Sequence, residues 1–446
     1  SERIEEVAVM ARILVYTSPA RGHLFPILGV ALELRTRGHD VHVRTLAGEV
    51  PRVRELGLSA DAIAPAVEDR EMDDWAAKSP MQALERAIRT FADRAAAEID
   101  EVPGAIRESG ARALLVDTNS WGAQAVAESS GLPWAIFQPY FVALPASGVP
   151  PFGPGLRRST GLAGRLRDRV LGRMIQKKMD ATGLAALNEV RGRLGLNALA
   201  TVGELPVRAP RLLYFTTRAL EYPRPAWPPN FRFTGAATWA PASETPPWLR
   251  DVDRPIVLVT CSTERQQDRA VVEAALEGLP AAGYFVVATS AAHSVEDLRG
   301  ADGPNVRVER FLPHDPVIER AAVVVCHGGM GVTQRALSKG VPVVVVPFGR
   351  DQPEVARRVE YAGAGVRLEA KRLGGASLAA AVTEAVAMRD GARRISAALA
   401  ETGGTAAAAD AFEELFVADA GAVPTGGGAA FRPASHDRRD PAAEGV

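Results

Sequence analysis

Along this chain short apolar runs alternate with longer amphipathic stretches, the pattern that βαβ units and a parallel sheet produce. Arg12–Ser18 reads as a buried strand, Pro19–His23 as a turn, and Leu24 to about Arg37 as a helix. Gly38–Asp40 stops that helix, and Val41–Leu46 begins the next strand. Ala113–Val116, closed by Asp117, and Pro133–Phe137 continue the series. The pattern then restarts: Pro255–Cys261, Tyr284–Thr289, Val306–Val308, Ala322–Cys326 and Val341–Pro347 are predicted strands with helices between them.

Between the two series, Tyr222 to Trp248 is rich in proline and poor in period, as suits a linker. The predicted organisation is an extension (1–10), an N-terminal Rossmann-like domain (11–220), a linker (221–250) and a C-terminal Rossmann-like domain (251–419). Residues 420–446 combine Gly, Pro, Ala and charge without apolar period and are expected to form a disordered tail. The fold class expected is α/β, two doubly wound parallel-sheet domains facing each other. Ligands of such sheets bind outside the carboxyl ends of the strands, so the cleft between the halves is the place to seek a site.

Composition narrows the function. With 446 residues, 47% apolar and 24% charged, the chain has ample material for buried cores. A formal net charge of −1 gives no global field for nucleic acid. Cys261 and Cys326 are the two cysteines, too few for a disulfide framework and lacking metal-ligand spacing. A reducing, cytoplasmic setting is therefore expected. Ser1–Met10 has acidic residues and no apolar core, unlike a signal peptide, and Met10 looks like the natural start. No apolar run approaches the roughly 20 residues of a membrane span.

The segment richest in candidate chemistry is 311–360. Cys326-His327-Gly328-Gly329-Met330-Gly331-Val332-Thr333 follows a buried strand and opens a helix. Glycines there let backbone N–H groups approach a ligand, and the positive end of the helix favours a diphosphate, with His327 as a further donor. A plain glycine-rich strand–helix turn has the same appearance. Beyond the next strand come Asp351 and Gln352, whose carboxylate and carboxamide suit neighbouring hydroxyls of a hexose. Asp351 also reads as a helix cap before Pro353-Glu354.

In the N-terminal half, Gly22-His23 follows the first strand and Asp117 closes another. A hydroxyl acting as a nucleophile needs a base as its proton leaves, and histidine titrates near neutrality. A carboxylate on the other imidazole nitrogen would orient the ring, as in hydrolase triads. Taken singly, His23 is an ordinary loop histidine and Asp117 a helix cap.

Together these stretches resemble family 1 inverting glycosyltransferases of the two-domain GT-B fold, including bacterial natural-product enzymes. The resemblance spans roughly residues 11–415. It implies that Phe311 stacks on the nucleobase while the backbone at Leu312 reads its edge. It further implies that His327, Gly329, Gly331 and the amide of Val332 hold the diphosphate, with Ser262 and Thr263 reaching a phosphate. Asp351 and Gln352 would hold the sugar, and His23 with Asp117 would form the catalytic dyad. Phe311 stands where plant members often carry Trp, and Val332 where Thr or Ser is common. The co-substrate implied is a UDP- or dTDP-hexose, with no further cofactor and no metal. Asp73-Asp74 is read as solvated surface rather than as an ion site.

The acceptor side is expected in loops at 70–90 and 138–180, with Trp75, Trp121, Tyr140, Phe141 and Phe152 as candidate contacts and Met81 and Met174 nearby. Each of these is equally at home in a core. The partners expected are a nucleotide sugar and a hydrophobic small-molecule acceptor (macrolide, polyketide or aromatic), without nucleic acid; a homodimer is left open. Two other functions use the same residues: a sugar-nucleotide epimerase, which needs no acceptor, and a non-catalytic metabolite binder. An NAD dehydrogenase is excluded at the first turn, where Pro19-Ala20-Arg21-Gly22-His23 replaces G-x-G-x-x-G.

Overall fold

The computed structural model describes residues 10–240, 243–262, 268–290, 298, 300–301 and 303–420. The first half runs β1 (Arg12–Tyr16), α1 (Arg21–Thr36), β2 (Asp40–Thr45), α2 (Val50–Glu55), β3 (Ser59–Ala62) and α3 (Pro65–Glu68). It continues with α4 (Pro80–Ser109), β4 (Ala113–Asp117), α5 (Trp121–Ser130), β5 (Trp134–Gln138), α6 (Leu162–Arg193), α7 (Leu205–Arg208), β6 (Arg211–Tyr214) and β7 (Phe231–Phe233). These strands form a seven-stranded sheet in the order β3-β2-β1-β4-β5-β6-β7, and every pairing is parallel.

The second half runs β8 (Ile256–Thr260), α8 (Arg269–Gly278), β9 (Phe285–Thr289), β10 (Val306–Glu309), α9 (His314–Ile318), β11 (Ala321–Cys326) and α10 (Met330–Ser338). Then follow β12 (Val343–Val345), α11 (Gln352–Tyr361), β13 (Gly365–Arg367), α12 (Gly375–Val386), α13 (Arg389–Thr402) and α14 (Gly404–Ala420). Its six strands, in the order β10-β9-β8-β11-β12-β13, are likewise all parallel. Helices cover both faces of each sheet, so central strands such as β4, β5 and β8 are buried from end to end. That burial is why they appear in the sequence as continuous apolar runs rather than alternating ones.

Strand order reverses between β1 and β4 in one sheet and between β8 and β11 in the other. Tyr16 pairs with Val116 and Cys326 with Thr260. The residues just past these pairs are therefore carried to the same end of each sheet, at the point where a doubly wound fold opens a crevice.

Three expectations are corrected. The stretch 221–250 is not simply a connection: Phe231–Phe233 adds β7 to the N-terminal sheet beside β6. Trp227 anchors it, its ring 4.7 Å from that of Phe233 and edge-on to it. Second, α14 does not stay with the C-terminal half. Ala408, Ala409 and Phe412 are buried in the same core layer as Ile27, Val43 and Phe215. Arg37 secures it, donating to Asp410 at 2.5 Å and Glu413 at 2.8 Å. The chain thus crosses twice between the halves. Third, α1 begins at Arg21, so His23 stands in the first turn of a helix and not in a loop. The expected tail, 421–446, lies outside the described residues.

Candidate functional site

Both switch points open onto one cleft of about 3220 Å³ between the halves. On its N-terminal wall His23 points Nδ1 at Asp117, 3.0 Å from Oδ1 and 2.9 Å from Oδ2. Asp117 is fully buried. Its carboxylate also accepts from the Ser18 amide (3.2 Å), the Ser18 hydroxyl (3.1 Å) and the Asn119 amide (2.8 Å). An acceptor-only group at Nδ1 selects the tautomer with the proton on that nitrogen and the lone pair on Nε2. The Asn119 amide nitrogen lies 3.4 Å from Nε2, and Tyr140 donates its hydroxyl to the Asn119 oxygen at 2.7 Å. Burial, then the charges of Asp117 and Asp351, push the Tyr140 hydroxyl well above its usual range, so it remains a donor. Asn119 has no counterpart in the sequence reading; its signal was a second polar residue two positions after the strand-ending Asp117.

The opposite wall is built from the second sheet. Gly328 has φ +98, and a Cβ there would come within 2.7 Å of Val345 Cγ1, so only glycine passes between β11 and α11. Gly329 caps α10, and no heavy atom lies within 4 Å of where a Gly331 Cβ would sit. The first turn of α10 therefore presents backbone to the cleft, with His327 at its edge. Asp268, buried and unremarked in the sequence reading, accepts from the Ser262 amide and has an oxygen 3.9 Å from His327 Nδ1. Thr263 lies outside the described residues.

Phe311 is 80% exposed at the cleft while the neighbouring Leu312 is buried. That arrangement presents an aromatic face anchored by an apolar neighbour. Gln352 is buried, its side-chain oxygen accepting from the amides of Phe348 (2.8 Å) and Gly349 (3.2 Å). Asp351 occupies the cap position of α11, yet its side chain makes no capping bond. Burial pushes its carboxyl up to about 6, against the pull of its own backbone N–H and of His23 and Arg350. His23 and Asp351 thus line the same cleft. Among the described residues no three His, Cys, Asp or Glu side chains cluster as a metal site.

The chain is 32% identical over 376 residues to 4'-demethylrebeccamycin synthase of Lentzea aerocolonigenes, an alignment covering 81% of this chain and 89% of that protein. It belongs to the natural-product glycosyltransferases. Residues 275–414 of this glycosyltransferase match the erythromycin biosynthesis protein CIII-like C-terminal domain. Its GT-B fold matches the glycosyltransferase of kitacinnamycin with a TM-score of 0.70 at 24% identity, covering 91% of this chain and 99% of the other. The Streptomyces sp. SF2575 glycosyltransferase SsfS6, solved with thymidine diphosphate, gives 0.66 at 21% identity, covering 91% and 99%.

The residues of this glycosyltransferase that were expected to meet an acceptor divide. Trp75 is 53% exposed at the cleft, and Tyr140 and Phe152 face each other on its wall, ring centroids 6.5 Å apart. Trp121 touches the cleft but is 4% exposed, packed against Phe91 in the core. Phe141 is buried under the Arg358 guanidinium, 4.4 Å from its ring, and does not line the cleft. Asp74 overturns its reading as solvated surface: it is buried and bonded by Arg350 through Nε (3.0 Å) and Nη2 (3.1 Å). This fork joins the 70–90 loop directly to the residue before Asp351. Arg350 adopts φ +55, alone among the described non-glycine residues in having a positive φ. Such strain persists only where surrounding contacts over-determine it, and the bidentate Asp74 pair is one such contact.

Further bonds tie the halves of the glycosyltransferase behind the cleft. Glu354 Oε1 accepts from the amides of Gly153 (2.9 Å) and Gly155 (2.8 Å), and Arg357 and Arg367 donate to the Gly155 carbonyl. Gln334 on α10 donates to the Phe215 carbonyl at 2.7 Å. None of these residues had a chemical signature in the sequence.

Proposed function

We propose that this glycosyltransferase is an inverting enzyme transferring a hexose from a UDP- or dTDP-sugar to a hydroxyl of a hydrophobic natural product. The observation that carries the reading is the pair of cleft-lining His23 and buried Asp117, set across one cleft from Asp351 and the open first turn of α10. His23 Nε2 takes the proton of the acceptor hydroxyl while the oxygen attacks the anomeric carbon. The bond from that carbon to the diphosphate breaks in the same displacement, and the nucleoside diphosphate leaves toward His327 and the α10 N-terminus. Asp117 holds the ring and balances the imidazolium. Phe311 stacks on the base, Leu312 offers its backbone, and Ser262 with Thr263 reaches a phosphate. Asp351 and Gln352 hold the sugar hydroxyls. The reading assigns neutralisation of the leaving group to the protein and not to a metal. Thymidine diphosphate in SsfS6 supports a nucleoside diphosphate as ligand, and the exposed Trp75 with Tyr140 and Phe152 supports an apolar acceptor.

The test is an acceptor panel of macrolides, polyketides, aromatics, free sugars and peptides, offered with UDP-glucose and dTDP-glucose without added metal. Products are read by mass and by the anomeric coupling constant. A β-glucoside of an apolar acceptor is expected from either α-linked donor. Retained configuration would sink the single displacement, and sugar epimerised or released without acceptor would favour the epimerase reading.

Asp351 makes donor affinity depend on pH. With its carboxyl pushed up to about 6, it is ionised and accepts from two hydroxyls above that pH, and it becomes protonated below it. Dissociation constants of the sugar nucleotide, whose diphosphate does not titrate in this range, should rise without acceptor as pH falls from 7.5 to 5 in the wild type. Asp351→Asn should flatten that rise. An equal pH dependence in wild type and variant would remove Asp351 from the sugar.

A further inference from the structure

The first half of α6 is amphipathic in a way that no contact of the fold uses. Its buried residues Gly183, Leu187, Val190 and Arg191 all lie in the second half, where it packs on α4 and α5; in the first half only Asp168 is buried. Ahead of that, Leu162, Leu166, Val170 and Met174 are 84%, 60%, 47% and 56% exposed, at a constant spacing of four. Large side chains at that spacing lie along one gently drifting stripe of a helix. Arg165, Arg169, Arg173 and Lys177 are exposed at the same spacing. At about 100° per residue they form a second stripe beside the first, about 60° around the helix.

The charge is one-sided. Between residues 157 and 178 there are eight Lys and Arg against one acid, Asp168, in a chain whose net charge is −1. Asp168 is taken up by Arg167 at 2.7 Å. Arg157 and Lys178 pair with Glu360 and Glu85. Arg165, Arg169, Arg173 and Lys177 have no ion-pair partner among the described residues. This helix also borders the acceptor side of the cleft, which Arg165, Arg169 and Arg173 line together with the exposed Trp75 and Met81.

A second copy of the chain is a poor occupant, because an isologous contact would set each basic stripe against its own image. A surface of dense negative charge over hydrocarbon matches both stripes at once: apolar side chains enter the acyl boundary while the guanidinium groups stay among the headgroups. We infer that the first half of α6 docks this enzyme on an anionic lipid bilayer, peripherally, with the acceptor mouth of the cleft turned to the membrane. No helix among the described residues is long and apolar enough to cross one.

The full chain is tested by sedimentation with vesicles of phosphatidylglycerol and phosphatidylcholine against vesicles of phosphatidylcholine alone, at low and high salt. The inference expects at least tenfold more binding to the anionic vesicles and loss of most of it at high salt. Arg165→Glu/Arg169→Glu/Arg173→Glu and, separately, Leu166→Glu/Val170→Glu should each lower binding at least tenfold, with unchanged thermal melting showing that the variants fold. Binding that ignores lipid charge, or that survives both sets of substitutions, overturns the inference. So does a chain that light scattering shows to be a dimer, made monomeric by Leu166→Glu/Val170→Glu and indifferent to vesicles.

Discussion

Asp117→Asn is expected to lower kcat by about 10²- to 10⁴-fold while leaving the dissociation constant of the donor within about threefold of wild type. The magnitude follows from the donors gathered on this carboxylate. Oδ1 accepts from the Asn119 amide and Oδ2 from the Ser18 amide and hydroxyl, while His23 Nδ1 lies within 3.0 Å of both. An asparagine has one oxygen, so its NH₂ must face either a backbone N–H or the imidazole. If it faces the imidazole, Nδ1 becomes an acceptor and the proton moves to Nε2, the atom that must receive the acceptor's proton. If it faces Ser18 or Asn119, a buried donor loses its partner, at about 1–3 kcal/mol. His23→Ala should cost a similar factor without the loss of stability. Steady-state kinetics, donor binding and thermal melting on both variants separate these effects. A loss of less than tenfold in both would remove the pair from proton transfer.

Arg358→Ala is expected to destabilise the folded chain by about 3–5 kcal/mol. Arg358 is buried on α11, donating to Glu221 at 2.9 Å and to Glu354 at 2.8 Å, with its plane over the rings of Phe141 and Tyr222. Glu221 also accepts from Tyr214 and from the Tyr222 amide, and the Val142 amide donates to the Tyr214 hydroxyl. This network joins the end of β6 to the helix that starts at Asp351-Gln352. Removing this cation takes the bonded counter-charge from two buried carboxylates, a far larger loss than any surface pair gives. Chemical denaturation with fluorescence from each half should show the loss, and the midpoints of the two halves should separate. Arg358→Met with Glu221→Gln and Glu354→Gln, which leaves no stranded charge, should recover part of it. A change below 1 kcal/mol in Arg358→Ala would show that the halves are held together elsewhere, as by Gln334 and Arg37.

The two substitutions address different things that the same cleft requires. One concerns a pair of groups within a single sheet, brought together because β1 and β4 are neighbours. The other concerns how far the two sheets are fixed relative to each other, which sets how His23 and Asp351 face each other across the cleft. The Arg350–Asp74 fork belongs to the second kind, since it spans 276 residues and reaches from the 70–90 loop to the residue before Asp351.

The sequence by itself determined the parallel α/β class, nine of the strands and the family, and it named the candidate residues at the switch points. Strands buried on both faces must be continuously apolar, and the segments that leave them must be glycine-rich or polar, so both signals are local. His23, Asp117, His327, Asp351 and Gln352 were legible because each follows a strong strand or opens a helix. The tertiary structure alone decided what depends on contacts between distant segments. β3, β6, β7 and β13 are three- or four-residue strands, and polar or charged residues (Ser59, Asp61, Arg211, Arg232, Arg367) break the apolar run that marks the equally short β12. The alanine-rich face of α14 fits either sheet equally well by pattern, and only packing against α1 and β6 places it on the first. Trp121 and Phe141 have the same composition signal as Tyr140 and Phe152, yet burial separates wall from core. Asp268, Asn119 and Asp74 became site residues through partners that no spacing announces, because hydrogen bonds and ion pairs are made in space and not along the chain.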